Sequence, residues 1–226
     1  MTDDLRFDEL LREDAAALPP PADGEITPWR TAMDRILWGM GLPTITLNFL
    51  WLDVLLPAIG AVLLVLGFRT LRWENAPLRW GYRLSLLALA IRFAGDVLVA
   101  LPVDVGNTLA YVHIPVTLAL YVCLWRGMVG VSRAAGAEKP AAPAAGAMAV
   151  FYAALTALAL IGLEGWLLVL PLLALYLFLL RSMVRLSRSL TDTGYAITAA
   201  PVRLSDSAVL WGALGALLAA VLLAMF

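Results

Sequence analysis

The sequence predicts an all-α integral membrane protein with six or seven transmembrane helices, arranged as tandem helical hairpins plus a final helix. Three observations point there. The 226 residues are 62% hydrophobic and only 15% charged, which is more apolar surface than one soluble core of this length buries and which a bilayer solvates directly. The apolar residues fall into separate runs that approach the roughly 20 residues a helix needs to cross the hydrocarbon. Arginines gather at alternate junctions between those runs, the asymmetry expected of cytoplasmic loops.

Taken in order, residues 1–27 form an acidic amphipathic segment. Nine of the seventeen acidic residues lie in the first thirty-four positions. The stretch DDLRFDELLREDAAAL spaces Leu5, Phe7, Leu10, Leu11 and Leu18 at near-helical intervals and then stops at Pro19, Pro20 and Pro21. It has no basic region ahead of an apolar core, so it does not read as a cleaved signal. Anionic lipid repels such a helix, which makes a protein groove its better target.

Residues 28–226 read as a single polytopic transmembrane domain. Its first part is ambiguous: 36–68 is a block too long for one span and short for two, interrupted by Gly39, Gly41, Pro43, Asn48 and Asp53. In one arrangement 36–52 is a short span and the chain has seven helices. In the other, 28–41 lies in the interface with Trp29 and Trp38 as headgroup anchors, leaving six. Arg30 and Arg35 favour seven, because that arrangement places them on the cytoplasmic side.

The remaining runs are 54–68, 84–101, 109–125, 147–163, a short 166–180 and 207–226. Arg69, Arg72, Arg79 and Arg83 mark a cytoplasmic loop at 70–83, Arg126 and Arg133 one at 127–146, and Arg181, Arg185 and Arg188 one at 182–206. Acids mark the opposite turns, with Asp104 in LPVDVGN and Glu164 in a tight hairpin turn, GLEGW. AAGAEKPAAPAAGA, 134–147, reads as a low-complexity connector. In 191–207 the alternation around Tyr195, Ile197 and Ala199 suggests a short strand or ordered turn before Ser205 or Asp206 caps the last helix. That helix offers Gly212 with Ala216 and Gly215 with Ala219 for close packing. The arrangement predicts a multi-pass membrane protein with the C-terminus at the outer face.

The chain also repeats itself. LALYVCLWRGMVGVSR, 118–133, matches LALYLFLLRSMVRLSR, 173–188, at ten of sixteen positions. The matched Leu118, Tyr121, Met128, Val129 and Ser132 share one side of a helix, while mismatches 123, 127, 130 and 131 share the other. The two stretches read as corresponding helices of two hairpins, and a weaker third copy runs from Pro57 to Arg69. The hairpins are then 36–69, 84–126 and 147–181. Parallel repeats of this kind occur in transporters, with the site between repeats, although repetition also serves packing alone.

The stretch LDVLLPAIGAVLLVLGFRTLRWEN, with Leu52, Asp53, Pro57, Gly60, Gly67 and Arg69, resembles small bacterial multi-pass membrane proteins that are uncharacterised. The resemblance covers under a fifth of the chain. It implies the inner membrane and brings no function.

Candidate chemistry lies in polar groups that lipid rejects. LSLLALAIRFAGDVLVALP places Arg92 and Asp96 in mid-run, four residues apart on one helical face. Each costs about 2.5 to 3.5 kcal/mol facing lipid, so both should face the bundle. His113, the only histidine, enters the next run at similar depth, within reach of Asp96. With Asp53, Asn48 and Asn107 nearby, these residues could line an outward-facing polar cavity in which Asp96 or His113 exchanges a proton and Arg92 holds an anion. The plainer reading is a structural Arg92–Asp96 pair that fixes register.

The leading function is therefore non-enzymatic: binding a small ligand, or helping to transport it, through a polar intramembrane cavity. The alternative is an accessory or sensor subunit that docks a membrane or cytoplasmic partner through 1–27 and 191–207. The weakest is an intramembrane enzyme. One His excludes HExxH, no G-x-S-x-G is present, and no acid cluster offers a metal site. Lone Cys123 excludes an internal disulfide. No cofactor, no catalytic residue and no nucleic-acid partner are expected.

Overall fold

The computed structural model describes residues 28–44, 52–100, 108–136, 142–161, 166–192, 197 and 205–225. Among the described residues it is entirely helical and contains no strand. Seven α-helices follow one another: α1 Pro28–Gly41, continued by a 3₁₀ turn Leu42–Thr44; α2 Leu52–Leu71; α3 Ala76–Ala100; α4 Thr108–Ala134; α5 Pro143–Ile161; α6 Trp166–Asp192; and α7 Asp206–Met225.

Their neighbour relations define a closed ring. Each of α1 to α5 packs on the next, and α6 returns to pack on α1, while α7 lies outside against α2 and α3. Successive helices run antiparallel. The α1–α2 crossing is set by small residues, for a Cβ built on Gly39 would come within 2.7 Å of the Gly60 carbonyl oxygen and one on Gly67 within 2.8 Å of the Ala32 carbonyl oxygen. Only glycine lets the two backbones approach so closely.

Among the described residues three helices are long and apolar enough to cross a membrane: Val54–Leu71 in α2, Tyr111–Ala134 in α4 and Leu168–Asp192 in α6. They alternate around the ring. Each contains one interior proline, Pro57, Pro115 and Pro171, and each of these removes one i→i−4 hydrogen bond from its helix.

The doubled stretch lies on α4 and α6, and its shared letters share an environment. Tyr121, Leu124, Met128 and Ser132 are buried, as are Tyr176, Leu179, Met183 and Ser187. These residues recur every three or four positions, the spacing of one helical face. The matched arginines Arg126 and Arg181, Arg133 and Arg188, are exposed.

The antiparallel order brings the arginine-bearing termini to one end of the ring. Arg35 Nη1 lies 2.6 Å from the Asp206 carboxylate, and Arg69 Nη1 lies 3.7 Å from its other oxygen. Asn75, the N-cap of α3, accepts from the Leu78 amide at 3.0 Å and donates to the Gly127 carbonyl of α4 at 3.0 Å. Arg72 lies 5.0 Å over the Trp73 ring and 5.1 Å over that of Tyr82, and Arg83 lies 4.7 Å over Trp80. Trp73, Trp80 and Trp125 are exposed at this same end.

Several expectations change. The helices extend beyond the apolar runs: 76–83 belongs to α3 and 143–146 to α5, both expected as loop, while α4 and α6 continue past their arginines, as the doubled stretch predicts, to Ala134 and Asp192. Hydropathy tracks the solvent, whereas a helix persists until its hydrogen bonds end, and alanine sustains it. The connector thus becomes helix at Pro143, a residue suited to the first helical position. Its remaining turn begins where α4 ends, at Gly136 with φ +73°, a left-handed C-terminal stop.

Trp29 is fully buried between helices, so it is no headgroup anchor, and α1 lies along α2 as a hairpin arm. Gly212 and Gly215 have nothing within 4 Å of an added Cβ, so their small-residue face packs on no other helix of this chain among the described residues. Ser205 caps α7, accepting from the Ala208 amide at 3.2 Å. The acidic segment 1–27, Asp104, Glu164, Tyr195 and Ala199 lie outside the described residues. Ile197 is described, and it is buried in the core.

Candidate functional site

A cavity of about 370 Å³ lies inside the ring, walled by residues of α1 to α5. Arg92 and His113 both line it. Each brings a stripe of its own helix. On α3 the stripe is Ser85, Ala88 and Arg92, and on α4 it is His113, Thr117, Leu120 and Tyr121, residues that steps of three, four or seven place on one face. Gly39, Met40 and Pro43 complete the wall from α1 and its 3₁₀ turn, Pro57, Ala61 and Leu64 from α2, and Tyr152, Leu155 and Thr156 from α5.

The wall is graded. Nearest the arginine end, Met40, Ser85, Leu120 and Tyr121 are buried and form a floor. Eight residues along α4, about 12 Å at 1.5 Å per residue, His113 is half-buried, as is Arg92 at the matching height of α3, and Pro43 is exposed. The charged and imidazole groups therefore stand at the rim and the aromatic groups at the base.

The floor rests on an aromatic cluster. The Tyr121 and Tyr152 rings stack with centroids 3.8 Å apart, and the Tyr121 hydroxyl donates to that of Tyr152 at 2.9 Å. Phe151 and Tyr176 pack beside them. The Tyr176 hydroxyl donates to the Met40 carbonyl oxygen at 2.6 Å, one of the carbonyls that the end of α1 leaves without a helical partner.

The wall hydroxyls are internally committed. Ser85 donates to the Tyr82 carbonyl at 2.8 Å, Thr117 to that of His113 at 2.9 Å and Thr156 to that of Tyr152 at 2.8 Å. Thr117 Oγ1 also lies 3.4 Å from His113 Nδ1, which steers the ring. Apolar groups make up most of the remaining wall. The cavity is thus less polar than its sequence suggested, since Ser85, Thr117 and Thr156 spend their hydroxyl hydrogens on their own helices.

Of the residues expected at the site, Arg92 and His113 meet at one cavity. Asp53 and Asp96 belong to α2 and α3, but their side chains, and the expected Asp96–His113 contact, lie outside the described part. Asn48 and Asn107 lie outside the described residues. The expectation missed Ser85, Thr117, Tyr152 and Thr156. Thr117 was within reach, being four residues from His113, whereas Tyr152 becomes visible only once α5 is known to face α4. Among the described residues no three His, Cys, Asp or Glu side chains gather as a metal site. No protein-family model, curated protein or solved structure matches this chain.

Proposed function

We propose that this chain is a multi-pass protein of the bacterial inner membrane, with seven spans, that binds a small ligand within the ring or helps to move it. The observation that supports this most is the 370 Å³ cavity bearing Arg92 and His113, since charged and imidazole groups placed at membrane depth mark functional sites by default. The membrane itself draws support from the three span-length helices and from outward apolar side chains such as Leu160, Leu170 and Phe178, each more than 60% exposed. The arginine and tryptophan end is then cytoplasmic, and the rim faces outward. The shared burial of Tyr121 and Tyr176, Met128 and Met183 supports repeated hairpins as the plan of the ring.

The accessory-subunit alternative draws on 1–27 and 191–207, of which 191, 192, 197 and 205–207 are described, and no observation raises it above the cavity. Purification from native membranes in mild detergent, with mass spectrometry of small molecules and proteins, separates the two. The expected result is a discrete small molecule that is retained by the wild-type protein and absent after Ala61→Phe, which fills the cavity. A stoichiometric protein partner with no retained molecule would overturn it.

A further inference from the structure

We infer that the cavity takes a small amphiphilic acid, with an apolar body seated on the helix faces and an anionic head held at the rim by Arg92 and His113. The inference rests on the cavity being the ligand site proposed above, and adds the chemical class.

Size sets the first limit. A cavity of about 370 Å³ lies near the lower end of the range of about 300 to 1,000 Å³ found for small-molecule sites, so the ligand is small. The polar inventory sets the second. Ser85, Thr117, Thr156 and Tyr121 already donate their hydroxyl hydrogens to protein acceptors. A ligand body rich in carbonyls or phosphates would leave its acceptors short of donors there, at a cost of about 1 to 3 kcal/mol for each group left unpaired. Ala61, Leu64, Ala88, Ile114 and Leu155 instead offer contact to hydrocarbon.

The rim sets the third. Arg92 presents a planar fork of five N–H donors, more than one protein acceptor can occupy, and the fork matches a carboxylate or phosphate. It repels a cationic head and prefers an anionic one to a neutral one. The burial gradient fixes the orientation. The apolar end lies against Tyr121 and Tyr152 and the head lies about 12 Å away, the height of eight residues of α4.

The test uses the full chain in lipid nanodiscs, with radiolabelled decanoate, decanol and acetate as probes and empty discs subtracted. Decanoate is expected to bind at one saturable site, decanol at least tenfold more weakly, and acetate should not displace decanoate. Arg92→Leu should lower decanoate affinity to that of decanol and leave decanol unchanged, while Arg92→Lys retains most of the preference. Ala61→Phe or Ala88→Phe should remove saturable binding of both chains, two variants ensuring that one misfolded protein does not decide the matter.

Equal binding of decanoate and decanol, indifferent to Arg92→Leu but abolished by Ala61→Phe, would overturn the anionic class and leave the ligand cavity standing. Displacement by acetate would overturn the apolar body. Absence of any saturable binding, or binding indifferent to both filling variants, would overturn the cavity reading together with the inference. Discs with and without phosphatidylglycerol distinguish the sources of such a head: competition by that lipid upholds the class with a membrane lipid as donor, and no competition upholds it with a free acid.

Discussion

Tyr121 and Tyr176 occupy equivalent letters of the doubled stretch and do different work. Tyr121 gives its hydrogen to another hydroxyl at the cavity floor, whereas Tyr176 gives its own to the Met40 carbonyl and thereby joins α6 to α1. Tyr176→Phe leaves that carbonyl without its side-chain donor, and about 1 kcal/mol of stability should be lost. Tyr121→Phe should lose less, because the Tyr152 hydroxyl that accepted the bond keeps its own hydrogen to donate, whereas the Met40 carbonyl has no hydrogen to offer. Equilibrium unfolding of both variants in one detergent checks the order, and equal losses would show that Tyr176 plays no part in closing the ring. Arg92 and His113 were legible in the sequence because a polar letter in an apolar run has few places to go. The hydroxyl partners were legible only in part. Ser85 and Thr117 lie on the stripes of Arg92 and His113 and follow from helical spacing, but Tyr152 and Thr156 belong to a helix whose neighbours no local pattern names.

At the scale of the element, small residues decide how closely helices cross. Gly39→Ala places a methyl group against the Gly60 carbonyl and Leu64, and should destabilise by about 1 to 3 kcal/mol, the cost of overpacking. Gly212→Ala meets nothing and should be neutral or stabilising by up to about 1 kcal/mol, the difference in helix propensity. Thermal unfolding of the pair separates crossing from propensity, and similar shifts in both would show that the α1–α2 approach is not tight. Ser205→Ala removes the cap of α7 and should cost about 1 kcal/mol. The sequence placed α2 to α6 but drew several too short, because the polar turns that continue α3, α4 and α6 past the apolar runs are helical without being hydrophobic. It left α1 undecided for the opposite reason. Its glycines look like interruptions in the letters, and they are what seats it on α2.

At the scale of the molecule, the arginine end predicts the topology. In a Cys123→Ala background, an impermeant maleimide added to spheroplasts should label Ile161→Cys and not Ser189→Cys. Both positions are exposed, and they lie near opposite ends of α5 and α6. The reverse pattern would invert the rim and place the cavity mouth toward the cytoplasm. The helix order was legible from the apolar runs and from the arginines spaced between them. Closure of α6 onto α1 was not, because it joins helices more than a hundred residues apart through a backbone carbonyl. Nor was the seat of α7, whose packing face carries no polar pattern.

That seat has a consequence for the order of assembly. Helix α7 leaves the ribosome after all six ring helices, yet the carboxylate at its start touches arginines of α1 and α2, the first pair made. Asp206 gives both arginines a shared carboxylate, so the first described hairpin is fastened by the last described helix, and a chain interrupted before residue 205 would lack that link.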